Sequence, residues 1–115
     1  MPLREMRRPF PDGSSRPLMK CAQYQYLKTR DEQIYLDFLD WLKKLGVMEK
    51  GSQTWSMERF KALEKKINKE GYCPEKSAIV VNQDNYVCDG LHRASILLYK
   101  YGPEHKIPVI RVSRR

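Results

Sequence analysis

The chain has 115 residues and a formal net charge of +8. That is length for one domain with a modest core, and a charge that favours acidic partners such as nucleotides, nucleic acid or phosphorylated small molecules. No apolar run approaches membrane-spanning length and no apolar stretch backs the basic start MPLREMRRPF, so the expectation is a cytoplasmic protein with no membrane partner. Cys21, Cys73 and Cys88 are odd in number and far apart, with no CxxC pair and no Cys/His metal spacing; reduced thiols are expected rather than disulfides or zinc.

Residues 1–17 hold four of the seven prolines together with Asp12-Gly13-Ser14-Ser15. Such a stretch cannot sustain a helix or a central strand. It is expected to be a flexible or strap-like basic arm anchored by Phe10 and Leu18, and the remainder, 18–115, a single domain. Arg4, Arg7, Arg8 and Arg16 are its candidate polyanion contacts. Some strand is expected within 18–27, where Tyr24 and Tyr26 alternate in QYQY. Those two tyrosines could line a nucleotide cleft or simply pack.

A helix is predicted from Thr29, because Thr29-Arg30-Asp31-Glu32 fits the capping box. Ile34, Tyr35, Phe38, Leu39, Trp41 or Leu42, and Leu45 then recur at helical spacing, with Gly46 as the stop. This aromatic stripe is expected to pack on the core, with a homodimer contact as its other use. A loop over 47–56 leads to a second helix, capped by Ser56 and burying Phe60, Leu63 and Ile67 until Gly71. The β-branched run 77–82 reads as a strand covered on both faces. Asn82-Gln83-Asp84-Asn85 reads as a turn and Tyr86-Val87-Cys88 as a return strand with Cys88 an ordinary buried thiol. Gly90 opens a third helix burying Ala94, Leu97, Leu98 and Tyr101 up to Gly102-Pro103, and 107–112 is a last strand. The order gives a small α+β domain. Lysines at 43, 44, 61, 65, 66 and 69 lie among acids at helical spacing, as on a solvated face.

The junction Cys88-Asp89-Gly90-Leu91-His92-Arg93 is chemically unusual. Cations at a helix start oppose the helix dipole, whereas an anion there is welcomed by free backbone N–H groups. Gly90 would let the backbone approach a phosphate, Arg93 could grip two oxygens with its fork, and His92 could donate or exchange a proton near neutral pH. Asp89 beside phosphates makes sense as a Mg²⁺ ligand or as the acceptor of a hydroxyl proton. A plainer arrangement is equally open: Asp89 as helix N-cap, His92 half-buried, Arg93 paired with Glu58 or Glu64. Arg30, Asp31 and Glu32 are candidates for a second polar wall.

The run Ile79-Val80-Val81-Asn82, then Tyr86-Val87-Cys88-Asp89-Gly90-Leu91-His92-Arg93-Ala94, then Gly102 and Ile107-Pro108-Val109 resembles the ParB/sulfiredoxin-like superfamily. It looks most like small members with a DGxHR signature between a hairpin and a helix. Phe60-Lys61-Ala62-Leu63, Ile67 and Gly71-Tyr72 fit the helix that such members place ahead of the first strand. The resemblance covers residues 56–112 and implies a small mixed sheet with flanking helices.

It also implies a nucleotide (ATP, ADP or CTP) with its phosphates on Gly90, Leu91, His92 and Arg93, Asp89 and His92 as catalytic groups, and Mg²⁺ on Asp89. Leu91 stands where sulfiredoxins carry their redox cysteine, which argues against their chemistry. Leu91-His92 also departs from the glycine-glutamate-arginine-arginine turn of ParB, which argues against CTP-driven DNA clamping. Relatives with DGxHR-type turns include small-molecule kinases, so an ATP- or ADP-dependent phosphotransferase is expected. The reading from another class is a DNA- or RNA-binding, or nuclease-like, module without kinase activity. A regulatory domain that has lost catalysis is the third.

Overall fold

The computed structural model describes residues 1–10, 14–45 and 55–113. Gly46, most of the predicted loop 47–56, Asp12-Gly13 and Arg114-Arg115 lie outside the described residues. Mixed helix and sheet make an α+β protein: β1 (Arg7–Pro9), β2 (Ser15–Pro17), α1 (Ala22–Thr29), α2 (Glu32–Leu45), α3 (Met57–Glu70), the single turn α4 (Pro74–Ser77), β3 (Val80–Val81), β4 (Val87–Asp89), α5 (Leu91–Tyr101) and β5 (Ile110–Arg111). Short 3-10 turns at Leu3–Glu5 and Leu18–Lys20 precede β1 and α1.

Helix α5 is the centre of the molecule. Leu91, Ala94, Ser95, Ile96, Leu97 and Leu98 are all buried, so the helix is enclosed on most sides, as its apolar sequence requires. Tyr101, expected on the buried face, is instead exposed and stacks on the exposed His105, with ring centroids 4.6 Å apart. Around α5 pack α1, α3 and both 3-10 turns. A three-stranded sheet in the order β4-β3-β5 lies beside it, β3 antiparallel to β4 and parallel to β5. Ile79 and Val81 are fully buried and Val80 half-buried, which fits a strand whose two faces are unequally covered.

The turn between β3 and β4 is built as its residues suggest. Asn82 Oδ1 accepts from the backbone N–H groups of Asp84 (2.8 Å) and Tyr86 (3.0 Å), and Asn85 takes a left-handed conformation at φ 67°. At the start of α3, the Ser56 hydroxyl accepts from the Arg59 N–H at 3.1 Å. At its end, Gly71 adopts φ 77° while its N–H reaches the Ile67 carbonyl. These are short-range devices, and each acts within four residues.

Two local expectations differ from the structure. The QYQY segment is helix, not strand, and buries Gln23, Tyr26 and Leu27. Its period-2 alternation is too short to outweigh packing against α5 on one side and α2 on the other. The predicted capping box is also displaced. Thr29 ends α1, its hydroxyl donating to the Gln25 carbonyl at 2.9 Å, and Arg30 makes a left-handed corner at φ 61°. Asp31 then starts α2, its Oδ1 accepting from the Gln33 N–H at 3.0 Å.

Residues 1–10 lie along the domain in extended and 3-10 form. Leu3 donates to the His105 carbonyl, Arg4 to the Pro103 carbonyl and Arg7 to the Asn85 carbonyl, at 2.9–3.0 Å. Leu3 and Met6 are fully buried and belong to the main core, as does Leu18; Phe10 is only half-buried. No helix among the described residues is long and apolar enough to cross a membrane.

Candidate functional site

A cleft of about 660 Å³ opens where β4 turns into α5. One wall is Cys88, Asp89, Gly90, Leu91, His92 and Arg93; facing it are Trp55, Ser56, Arg59, Phe60 and Leu63 from the start of α3, with Arg8 and Tyr35 between them. All five residues singled out in the sequence (Asp89, Gly90, Leu91, His92 and Arg93) therefore line one cavity. Arg30, Asp31 and Glu32 do not. Arg30 forms a two-pronged pair with Glu64, both bonds at 2.8 Å, and Glu32 pairs with Lys61. The turn after α1 carries the three residues away from the cleft.

Gly90 is the N-cap of α5 and sits at φ 94° with no side-chain cap on the helix. Asp89 is therefore not the cap. The first N–H groups of α5 receive no capping oxygen and face the end where the helix dipole is positive. A Cβ at Gly90 would lie 3.1 Å from Ile79 Cγ1, 3.3 Å from Ile79 Cα and 3.2 Å from Arg93 Nη1. The glycine is thus demanded by the protein's own packing on β3 as well as by the sharp turn. Gly90→Ala is expected to destabilise the domain by about 1–3 kcal/mol, from left-handed strain plus crowding, as read by denaturant unfolding; an unchanged midpoint would contradict this.

Arg93 folds back over Gly90 and is half-buried in the cleft wall. It makes no hydrogen bond or ion pair to a described residue. Glu64, one of its expected partners, is taken by Arg30, and Glu58 makes no bond to it either. Among the described lining residues the guanidinium groups of Arg59 and Arg93, neither paired with a described acid, stand with the single carboxylate of Asp89. Such an excess attracts anions.

His92 sits in a box of rings. Its centroid lies 4.5 Å from Trp55, 4.9 Å from Phe60 and 5.5 Å from Tyr35, all edge-to-face. Its Nε2 is 2.7 Å from the Tyr35 hydroxyl. Although some of its surface reaches solvent, the rings replace most of its hydration. Burial, with a smaller push from the nearby Arg8 charge, takes the imidazole down to about 3. The ring is therefore neutral at pH 7, where the sequence suggests proton exchange near neutrality. Burial likewise raises the Tyr35 phenol well above its usual range, against the lowering influence of Arg8. Arg8 itself is buried, its guanidinium 4.5 Å from the Phe38 ring centre and 5.2 Å from that of Phe10.

Cys88, expected to be buried, is exposed on the cleft wall, and it is Cys21 that is buried, its thiol pushed up to about 11 chiefly by desolvation. The edge position of β4 leaves Cys88 on the open side of the return strand. Tyr35, Trp55, Phe60 and Arg59 have no sequence signal linking them to residues 89–93. Only the packing of α3 on α5, and of α2 on α1 and α3, brings them there.

Among the described residues no group of three or more His, Cys, Asp or Glu side chains could enclose a metal ion. Asp89, exposed at the end of β4, is the carboxylate that the cleft offers. Comparison with protein-family models, with curated proteins and with solved structures finds no match to this chain.

Proposed function

We propose that the cleft binds the phosphates of a nucleotide, ATP, ADP or CTP, at the start of α5, and that the chain is a ParB/sulfiredoxin-like domain that transfers a phosphoryl group to a small acceptor. The observation that carries this reading is Arg93: a half-buried guanidinium without a partner among the described residues, folded over a helix start that has no side-chain cap. The backbone N–H groups of Leu91 and His92 would take phosphate oxygens, Arg93 would grip two of them, and the aromatic wall of Trp55, Phe60 and Tyr35 would exclude water. A lone carboxylate suits Mg²⁺, which commonly takes one or two carboxylates and completes its shell with phosphates and water; bound, the ion would neutralise phosphate charge. Asp89 would serve that ion or accept the proton of the attacking hydroxyl. Positioning and charge stabilisation supply such catalysis.

The competing reading, a nucleic-acid module using the basic arm, is weakened by how the arm's arginines are engaged. Arg4 pairs with Glu104 at 2.7 Å, Arg7 Nε donates to Ser15 Oγ at 2.8 Å, Arg16 lies over Phe10, and Arg8 is buried. Calorimetric titration with ATP, ADP and CTP in the presence of Mg²⁺ tests the proposal. Arg93→Ala is expected to weaken binding by about 10- to 100-fold, the worth of a charged hydrogen-bond pair. Equal binding by the variant, or none by the wild type, overturns it. Salt-sensitive binding of DNA or RNA that survives Arg93→Ala would favour the competing reading.

A further inference from the structure

The contact between Tyr35 and His92 joins a buried phenol and a half-buried imidazole from different elements, α2 and α5, inside the ring box. Two proton arrangements satisfy a 2.7 Å O···N distance. In one, the phenol donates to Nε2 and the imidazole proton sits on Nδ1. In the other, Nε2–H donates to the phenol oxygen, and the phenol hydrogen must find another acceptor. No described residue offers the Tyr35 hydroxyl one, and a buried donor left without a partner carries its full desolvation cost. The phenol keeps its proton and the ring stays neutral, because burial opposes the charged form of each. The charged group facing them both is Arg8, whose positive charge opposes protonation of the ring. Nδ1 makes no bond to a described residue, and His92 lines the cleft one residue before Arg93.

We infer that Tyr35 is a positioning residue: by donating to Nε2 it fixes the His92 proton on Nδ1, so that Nδ1–H is a standing, uncharged donor to an anionic oxygen beside the Arg93 guanidinium. This inference rests on the reading that the cleft takes phosphate. It assigns His92 the part of a fixed hydrogen-bond donor rather than a proton carrier, and extends the candidate site to a residue of α2.

The test begins on the ligand-free protein, labelled with ¹⁵N-histidine and read by long-range ¹H–¹⁵N correlation at neutral pH. The expected pattern for His92 is a protonated Nδ1 and an unprotonated, hydrogen-bonded Nε2; in Tyr35→Phe, both tautomers are populated. ADP with Mg²⁺ then binds Tyr35→Phe about 3- to 10-fold more weakly, for the loss of one orienting hydrogen bond. A second pair of variants guards against a Tyr35→Phe protein that fails to fold. The Asn amide overlays the Nδ1 position and the Gln amide the Nε2 position, so His92→Asn retains nucleotide affinity better than His92→Gln. A wild-type ring protonated on Nε2, or His92→Gln binding better than His92→Asn, overturns the inference while leaving nucleotide binding in place. An Nδ1–H ring in a wild-type protein that binds no nucleotide overturns the phosphate reading and, with it, the donor role; the tautomer set by Tyr35 stands.

Discussion

Leu3→Ala is expected to lower the unfolding free energy by about 2–5 kcal/mol, the range for emptying a fully buried leucine site. The side chain is wholly shielded from solvent and shares a core with Leu97, Leu98 and Ile107. The turn that carries it packs against α5. Because marginal stability for a small domain is about 5–15 kcal/mol, one such change removes a large part of it. Denaturant titration of the variant beside Met19→Ala, a change at an exposed site in the neighbouring turn, supplies the contrast; the surface change should stay within about 1 kcal/mol. If residues 1–10 were only a loose basic arm, Leu3→Ala would cost nothing measurable, and that result would refute the packing described for them.

Acid should weaken the fold through His92. Its folded-state value is held near 3, against an ordinary value of 6.5 in the unfolded chain. Between those two limits the unfolded chain binds a proton that the folded ring refuses, so stability rises with pH and is lost as the solution is acidified. The slope from this one group is about 1.4 kcal/mol per pH unit inside the window, or about 2–3 kcal/mol between pH 7 and pH 4.5. Above about 6.5 the contribution is flat, because both states are neutral. The measurement is the denaturation midpoint of wild type and His92→Asn over that range. The variant should lose most of the acid slope; two parallel curves would show that the imidazole titrates normally in the folded protein.

The two effects meet in one place. The core that Leu3 helps to fill carries α5, and α5 carries His92 and Arg93 into the cleft. Stability of the N-terminal strap and geometry of the candidate site are therefore linked through a single helix. Gly90 makes the same link from the other side, since its missing Cβ lets β3 and Arg93 close on the turn.

Much of this was legible from local chemistry. The Ser56 cap, the Asn82 turn, the glycines at 71 and 90 that end α3 and open α5, and the grouping of residues 89–93 at a strand-to-helix junction are all fixed by interactions spanning a few residues, which the chain carries wherever it folds. The same holds for the α+β composition, since hydrophobic spacing survives any tertiary arrangement. Non-local packing decided the rest. A short alternating segment became helix because α1 found partners in α2 and α5, and Asp31 rather than Thr29 became the cap because Arg30 took the corner between them. Likewise, a segment expected as a flexible or strap-like arm placed Leu3 and Met6 in the core, and Tyr35, Trp55 and Phe60, distant in sequence, closed around His92, with Arg59 lining the same cleft. Spacing along the chain says which face a residue takes on its own element, but not which element it will meet. The neutral imidazole is the clearest case, because its proton affinity is set by rings up to 57 positions away.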